Sequence, residues 1–162
     1  MTVTLGIVRQ DAASYQFHWD APSINSGSRR SIIGGVGQLK IGTEHRARLE
    51  ALIEATVSGL QLLYQPGEQQ KIAGEKTSGR LEELGRFMFN FLLPPPLKLW
   101  LQRLPEGMAV LLATNDTSLP WELLHDGNDF LAHKYAIGRQ LLTPAPPNPQ
   151  ANLERSNVRP FL

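Results

Sequence analysis

The sequence predicts an α/β fold: a sheet flanked by helices, with a β-hairpin at the N-terminus. Three observations support this class. Apolar residues alternate with other residues across 3–8 and 15–19, they recur at steps of three and four across 43–64 and 80–93, and they run without interruption across 108–113. The first pattern is typical of half-buried strands, the second of amphipathic helices and the third of a buried strand.

Two strands open the chain, joined by a polar turn at 10–14. Residues 22–42 are rich in Ser and Gly, which predicts a long connection with little structure of its own. Within it, Gly34-Gly35-Val36-Gly37 lacks the third glycine of a dinucleotide-binding loop, and no clear helix follows it directly. A flexible loop is therefore the favoured interpretation of these glycines.

The first helix is predicted from Thr43, a candidate N-cap, to residue 64, ahead of Pro66-Gly67. Residues 68–79 are polar and read as a solvated connector. A second helix then runs from residue 80 to the three prolines that start at Pro94, since proline disfavours helical backbone in the residue before it. Leu97, Trp100, Leu101 and Leu104 share one face of a short third helix.

The run at 108–113 favours a central strand buried on both faces, as in parallel sheets. Polar residues at 114–116 follow it, and the carboxyl ends of such strands are where open α/β sheets commonly bind ligands. Residues 143–152 hold several prolines and few large apolar side chains, which predicts a surface linker. Residues 157–162 read as the beginning of a further strand.

Composition excludes several classes of function. The 162 residues carry a net charge of +1 with scattered basic residues, so nucleic acid is not an expected partner. No apolar run approaches the length of about 20 residues that a membrane span needs, and no secretory signal opens the chain, so a cytoplasmic protein without membrane contact is expected. There is no cysteine, which removes thiol nucleophiles and thiolate metal sites.

The stretch 117–127 combines several recognisable features. Pro120 suits the first turn of a helix, because its absent amide hydrogen leaves no bond unmade there. Trp121 brings a large apolar surface and one N–H that needs a partner. Asp126-Gly127 is a turn pair, after which Phe130, Leu131 and Ala132 are expected to form a strand.

This stretch resembles the opening motif of CHAT domains, a family of caspase-like cysteine peptidase modules. Leu84-Gly85-Arg86-Phe87 and Leu104-Pro105-Glu106-Gly107 extend the resemblance upstream, so that it covers roughly residues 44–142. The chain then divides into a hairpin with its glycine-rich connection (1–42), the N-terminal portion of a CHAT-like domain (43–142), and a linker with the start of another strand (143–162). The motif residues, structural by resemblance, are Leu119, Pro120, Trp121, Glu122, Leu123, Leu124, Asp126, Gly127, Phe130 and Leu131.

The resemblance implies a partial caspase-like sheet whose catalytic His and Cys belong to segments further along the family's fold. No catalytic residue carries over, because the chain has no cysteine and none of its four histidines stands in the family's His-Gly context. Hydrolysis by this chain alone is not expected. The expected partner is the His- and Cys-bearing half or another protein, and Glu122 with Asp116 is a candidate lining for a pocket built jointly with that half.

Other residues favour structural roles. His125 is expected to be a solvated turn residue, and Ser118 a helix cap, since no histidine accompanies it in a nucleophile motif. No spacing of His or carboxylates predicts a metal site, and no cofactor is expected. The row Phe87, Met88 and Phe91 favours core packing, with contact to a partner segment as the alternative. Two other classes stay open: a stand-alone protein-interaction module, and an unrelated small α/β domain.

Overall fold

The computed structural model describes residues 2–20, 34–63 and 69–143, without the side chains of 69–73. It is an α/β structure with one five-stranded mixed sheet. The elements in chain order are β1 (Thr2–Arg9), β2 (Ser14–Trp19), β3 (Gly35–Lys40), α1 (Thr43–Leu62), α2 (Gln69–Leu92), α3 (Pro95–Arg103), β4 (Ala109–Thr114), a 3₁₀ turn (Trp121–Leu123), α4 (Leu131–Lys134) and β5 (Ala136–Leu141).

The strand order is β3-β2-β1-β4-β5. β2 is antiparallel to both β1 and β3, which confirms the predicted N-terminal hairpin, and β4 is parallel to both β1 and β5. The sheet therefore has an antiparallel half, β3-β2, and a parallel half, β1-β4-β5. Within the described residues, β3 and β5 are the two edges.

Among the described residues, one face of the sheet contributes to the hydrophobic core. In β1 the core-facing residues are Val3, Leu5 and Ile7, and the registers place Phe17 of β2 and Leu112 of β4 on the same side. All four helices add buried residues to this same cluster. The other face, which we call the open face, contributes no described residue to it; its members include Thr2, Thr4, Gly6, Val8, Ser14, Gln16, His18, Val36, Gln38, Lys40, Ala109, Leu111, Ala113, Ala136, Gly138 and Gln140.

The open face corrects the interpretation of β4. The strand is interior, as predicted, and is the central strand of the parallel half, but its residues alternate between buried and half-buried along most of its length. A continuous apolar run does not require helices on both sides, because small or half-buried residues such as Ala109 and Leu111 satisfy the same pattern.

The glycine-rich stretch forms a strand, so the flexible-loop interpretation of residues 35–37 was wrong. A Cβ atom on Gly35 would lie 2.5 Å from the Trp19 ring, and one on Gly37 would lie 2.8 Å from Pro94. These glycines therefore let β3 approach a bulky neighbour closely, one of the roles that glycine has in strands. The other residues of the predicted connection, 21–33, lie outside the described part.

The helices also differ from prediction at their starts. Thr43 is the first residue of α1 and not its cap; Gly42 takes the N-cap position without a side-chain hydrogen bond. α2 begins at Gln69, so residues 69–79 are helical and not a connector. Their polar composition does not indicate that this segment packs against α1, where the buried Thr77 lies against Gly59. The predicted third helix is confirmed as α3.

After the turn at Asp126-Gly127 the chain forms α4, so the strand predicted at Phe130 to Ala132 was wrong. The next strand is β5, which begins at Ala136. Gly127 has the positive φ expected of this turn, 102°. From residue 144 onward the predicted linker and further strand lie outside the described residues.

Candidate functional site

A polar network lies at the carboxyl ends of the parallel strands β1 and β4, centred on the buried carboxylate of Asp116. The Tyr15 hydroxyl donates a hydrogen bond of 2.8 Å to Asp116 Oδ2. Ser118 donates to Asp116 Oδ1 from its hydroxyl (2.6 Å) and from its backbone N–H (2.9 Å). Ser118 therefore orders this loop and is not the helix cap expected from the sequence.

Arg9, the last residue of β1, supplies the positive charge of this network. Its Nη1 lies 3.6 Å from Asp116 Oδ1 and donates to Ser118 Oγ at 3.2 Å, while Nε donates to the Asp11 carbonyl at 3.1 Å. Asn115 fixes the backbone of Arg9 with two further bonds, accepting from its N–H (2.7 Å) and donating to its carbonyl (3.1 Å). These contacts hold the guanidinium in one orientation.

Burial raises the pKa of Tyr15 above its ordinary value, and the adjacent Asp116, through the hydrogen bond and its negative charge, raises it further. The neutral phenol is therefore the form that the fold stabilises. A group whose pKa is raised on folding contributes this stability below its unfolded pKa and loses it as the pH rises.

We expect Tyr15→Phe to lower the free energy of unfolding by about 1–2 kcal/mol at pH 7, because Asp116 loses a buried hydrogen bond. The difference from the unsubstituted protein should shrink as the pH rises above about 10, where an unfolded tyrosine ionises. Urea unfolding of both proteins at pH 7 and at higher pH measures it. A difference that stays constant across this range contradicts the assignment.

The predicted motif forms a packed corner next to the network. Trp121 is fully buried (0% exposed), and its ring packs edge-on against Tyr15 and Phe17, with centroid distances of 5.6 and 6.2 Å. Its Nε1 finds no hydrogen-bond partner within the described part of the chain. Pro120 precedes the 3₁₀ turn as its cap residue. Trp121 therefore contributes to the packing of this corner, next to the Asp116 network.

In this structure Glu122 and Asp116 have different hydrogen-bond partners. Arg139 of β5 donates from Nη2 to Glu122 Oε2 (2.6 Å) and to the Leu119 carbonyl (2.9 Å), and so ties the corner to the edge strand. Asp116 instead accepts hydrogen bonds from Tyr15 and Ser118 and lies beside Arg9. Each carboxylate thus has its own cationic partner.

His125 is buried, 4% exposed, so the expectation of a solvated turn residue was wrong. Its Nδ1 accepts a hydrogen bond of 3.0 Å from the Gly127 N–H, which fixes the proton of the neutral ring on Nε2. Nε2 lies 3.8 Å from Glu82 Oε1, and the ring packs edge-on against Phe130. These contacts anchor the turn on α2.

The turn has a second anchor in Asp126. Its carboxylate pairs with Lys134 and accepts from the N–H groups of Asn128 and Asp129. Burial alone would raise the pKa of Asp126, but these hydrogen bonds together hold it below its ordinary value. The Asp126 side chain thus stabilises the turn.

The aromatic row on α2 divides between core and surface. Met88 is fully buried in the core, and Phe87 is half-buried against it, whereas Phe91 is 47% exposed. Phe91 stacks with Phe87 and with His45 of α1, with centroid distances of 4.8 and 4.7 Å. Core packing therefore accounts for Met88, and only Phe91 presents a large apolar surface.

In the part of the chain that the structure describes, Ser118 is not paired with a histidine. The Ser118 hydroxyl donates to a carboxylate that Tyr15 and Arg9 also bind, and none of its hydrogen bonds involves a histidine. Across residues 2–20, 34–63 and 69–143, no group of three His, Asp or Glu side chains is placed to hold a metal ion. None of the helices described is long and apolar enough to cross a bilayer.

Comparison with known proteins adds no relative: no family model, no curated protein and no solved structure matches this chain. Sequence reasoning pointed to Asn115 and Asp116 through their position after β4, but it did not find Arg9 or Tyr15. Both belong to the N-terminal hairpin, and only the parallel pairing of β1 with β4 brings them to Asp116.

Proposed function

We propose that this chain is the non-catalytic N-terminal part of a CHAT-type caspase-like cysteine peptidase. In this role it works in the cytoplasm as the scaffold for a catalytic half that carries the His and Cys. The observation that carries the proposal is the parallel half of the sheet, which has helices on one face only within the described residues and no strand paired to the outer edge of β5.

Parallel sheets are generally covered on both faces, because their crossover connections place helices on each side. In β1-β4-β5 the open face instead presents Leu111 and Ala113 at its centre, with Ala109 and Ala136 at one end and Val8 at the other; Thr4 and Gln140 are among its polar members. The β2-β3 half of the same face carries polar residues, including Gln16, His18, Gln38 and Lys40. The apolar residues of the open face are thus concentrated on its parallel half. This distribution favours a covering element with an apolar surface at that half.

Two glycines on the open face support the same proposal. A Cβ atom on Gly138 would meet nothing within 4 Å, and one on Gly6 would meet only ordinary contacts with His18, the nearest at 3.5 Å. Nothing in the described residues therefore requires glycine at either position. Glycine weakens a strand interior and often marks a place where another backbone comes close, so a covering segment explains both residues.

The test is to express the chain alone and in frame with the coding sequence that follows residue 162 in its gene, and to measure peptide cleavage. Activity of the joined protein only, abolished by Cys→Ala in the added part, supports the proposal. Gly138→Leu should reduce that activity by about tenfold or more through lost packing. Gln38→Leu, on the polar half of the same face, is the matched control. A following sequence without His and Cys contradicts the peptidase role.

A stand-alone protein-interaction module without enzymatic activity is the second candidate. The observation that favours it is the single continuous core, to which three strands of the sheet and all four helices contribute buried residues. A chain with its own core should behave in size-exclusion chromatography as a monomer and unfold cooperatively. Aggregation of the purified chain would favour the scaffold proposal instead.

A further inference from the structure

A cavity of about 380 Å³ lies beside the Asp116 network, between α1 and the carboxyl ends of β1 and β4. This volume is within the range of about 300–1,000 Å³ that is usual for small-molecule sites. The position is also where α/β sheets commonly bind ligands. One wall is apolar, formed by Leu49 and Ile53 of α1 together with Ile41 and Leu119.

Two arginines, Arg9 and Arg46, line this cavity. Arg9 is fixed by the Asp116 network, and its side chain is partly exposed. Arg46 of α1 donates from Nε to Glu50 Oε1 at 3.0 Å, and its two terminal nitrogens have no acceptor among the described residues. Both arginines line the cavity together with Tyr15.

Two acidic residues also line the cavity, Glu50 beside Arg46 and Glu54 one turn further along α1. Arg46, Glu50 and Glu54 line the cavity at four-residue steps along α1. Arg46 and Glu54 are thus about 12 Å apart along the helix axis, at 1.5 Å per residue. Glu50 is already paired with Arg46, and Asp116 lies beside Arg9, so each arginine has one carboxylate partner. The free donors of Arg46 are the groups there that lack partners.

We propose that this cavity binds a carboxylate attached to an apolar body, and this proposal is independent of the peptidase proposal. The terminal nitrogens of Arg46 donate to the two carboxylate oxygens, a pairing that the planar guanidinium favours. Arg9 adds a second, fixed positive charge beside it. The apolar body lies along Leu49, Ile53 and Leu119, away from water. A fatty acid and the C-terminal residue of a peptide share this chemistry.

The experiment follows amide chemical shifts of the purified chain by NMR during titration with hexanoate, N-acetyl-leucine, hexanol and hexylammonium. Both carboxylates should shift the amides of Ser118 and of α1 near Ile53 at lower concentration than hexanol does. Tighter binding of hexanoate indicates a fatty acid, and tighter binding of N-acetyl-leucine a peptide end. Hexylammonium or hexanol binding as tightly as the carboxylates overturns the proposal.

Arg46→Gln should weaken carboxylate binding by about tenfold, because it removes a charge-assisted hydrogen-bond donor. The matched control is Arg48→Gln, which removes an exposed arginine of the same helix that pairs with Glu83 and does not line the cavity. Hexanol binding should be the same in both variants, which shows that the cavity persists. Equal carboxylate affinity in the two variants contradicts the assignment of Arg46.

Discussion

Gly85→Ala is expected to lower the free energy of unfolding by about 3 kcal/mol, the upper end of the usual cost of overpacking. An added Cβ would overlap the backbone carbonyl oxygen of Leu123 and lie 3.0 Å from His125 Cβ. A carbonyl within a packed turn has no room to move aside, so α2 and the turn must separate. Separation breaks the bond of 3.2 Å from the His125 N–H to the Gly85 carbonyl.

The matched control is Gly79→Ala on the same helix, where an added Cβ meets nothing within 4 Å. This change should raise stability by about 0.5–1 kcal/mol, because alanine is the better helix former. Chemical denaturation of the three proteins measures both effects. If Gly85→Ala is as stable as the unsubstituted protein, the close packing of α2 against the corner is wrong.

Trp121→Ala is expected to cost about 3–5 kcal/mol, the usual range for emptying a buried aromatic site. Tyr15 and Phe17 pack against the ring from the hairpin, so its removal leaves a cavity between the sheet and the corner. The loss should also weaken the Asp116 network, because Tyr15 contributes both a ring contact to Trp121 and a hydrogen bond to Asp116.

Trp121→Phe separates packing from hydrogen bonding at this position. Since the indole N–H has no acceptor within the described residues, phenylalanine loses volume but no hydrogen bond. The expected cost is about 1–2 kcal/mol. Urea unfolding compares the two variants. Equal and small losses for both would show that the corner is not a principal part of the core.

The elements that the sequence predicted are those with a strong local pattern. β1 and β2 alternate apolar and other residues. Pro94 marks the end of α2 and the start of α3, and α3 has a short apolar face. Each of these signals lies within a few residues of the element it specifies. Local chemistry was therefore sufficient for the hairpin, for α3 and for the central position of β4.

The errors occurred where a distant contact decides the structure. In the sequence Gly35 suggests a loop, because the pattern does not show that the Trp19 ring lies beside it. The polar start of α2 likewise suggests a connector, because the pattern does not show the contact of Thr77 with Gly59. His125 suggests a solvated turn until α2 covers it. In each case the partner is outside the local window, so periodicity carries no information about it.

The candidate site shows the same limit. Asp116 could be selected because it follows an apolar strand, whereas its partners Tyr15 and Arg9 are more than 100 positions away in sequence. Arg46 is one of several charged residues on the exposed side of α1, and only the cavity distinguishes it from Arg48. The sequence shows which of these residues are charged or polar. The sheet topology shows that they lie close together.

The proposed function requires that a second protein unit covers the parallel half of the sheet, at its open face and at the outer edge of β5. Amide hydrogen exchange of the isolated monomer tests it most directly. The claim predicts slow exchange throughout β1 and β4, with fast exchange at the alternate amides of β5 that point away from β4. Protection of all β5 amides to the level of β4 would mean that this edge is already covered, and would contradict the claim.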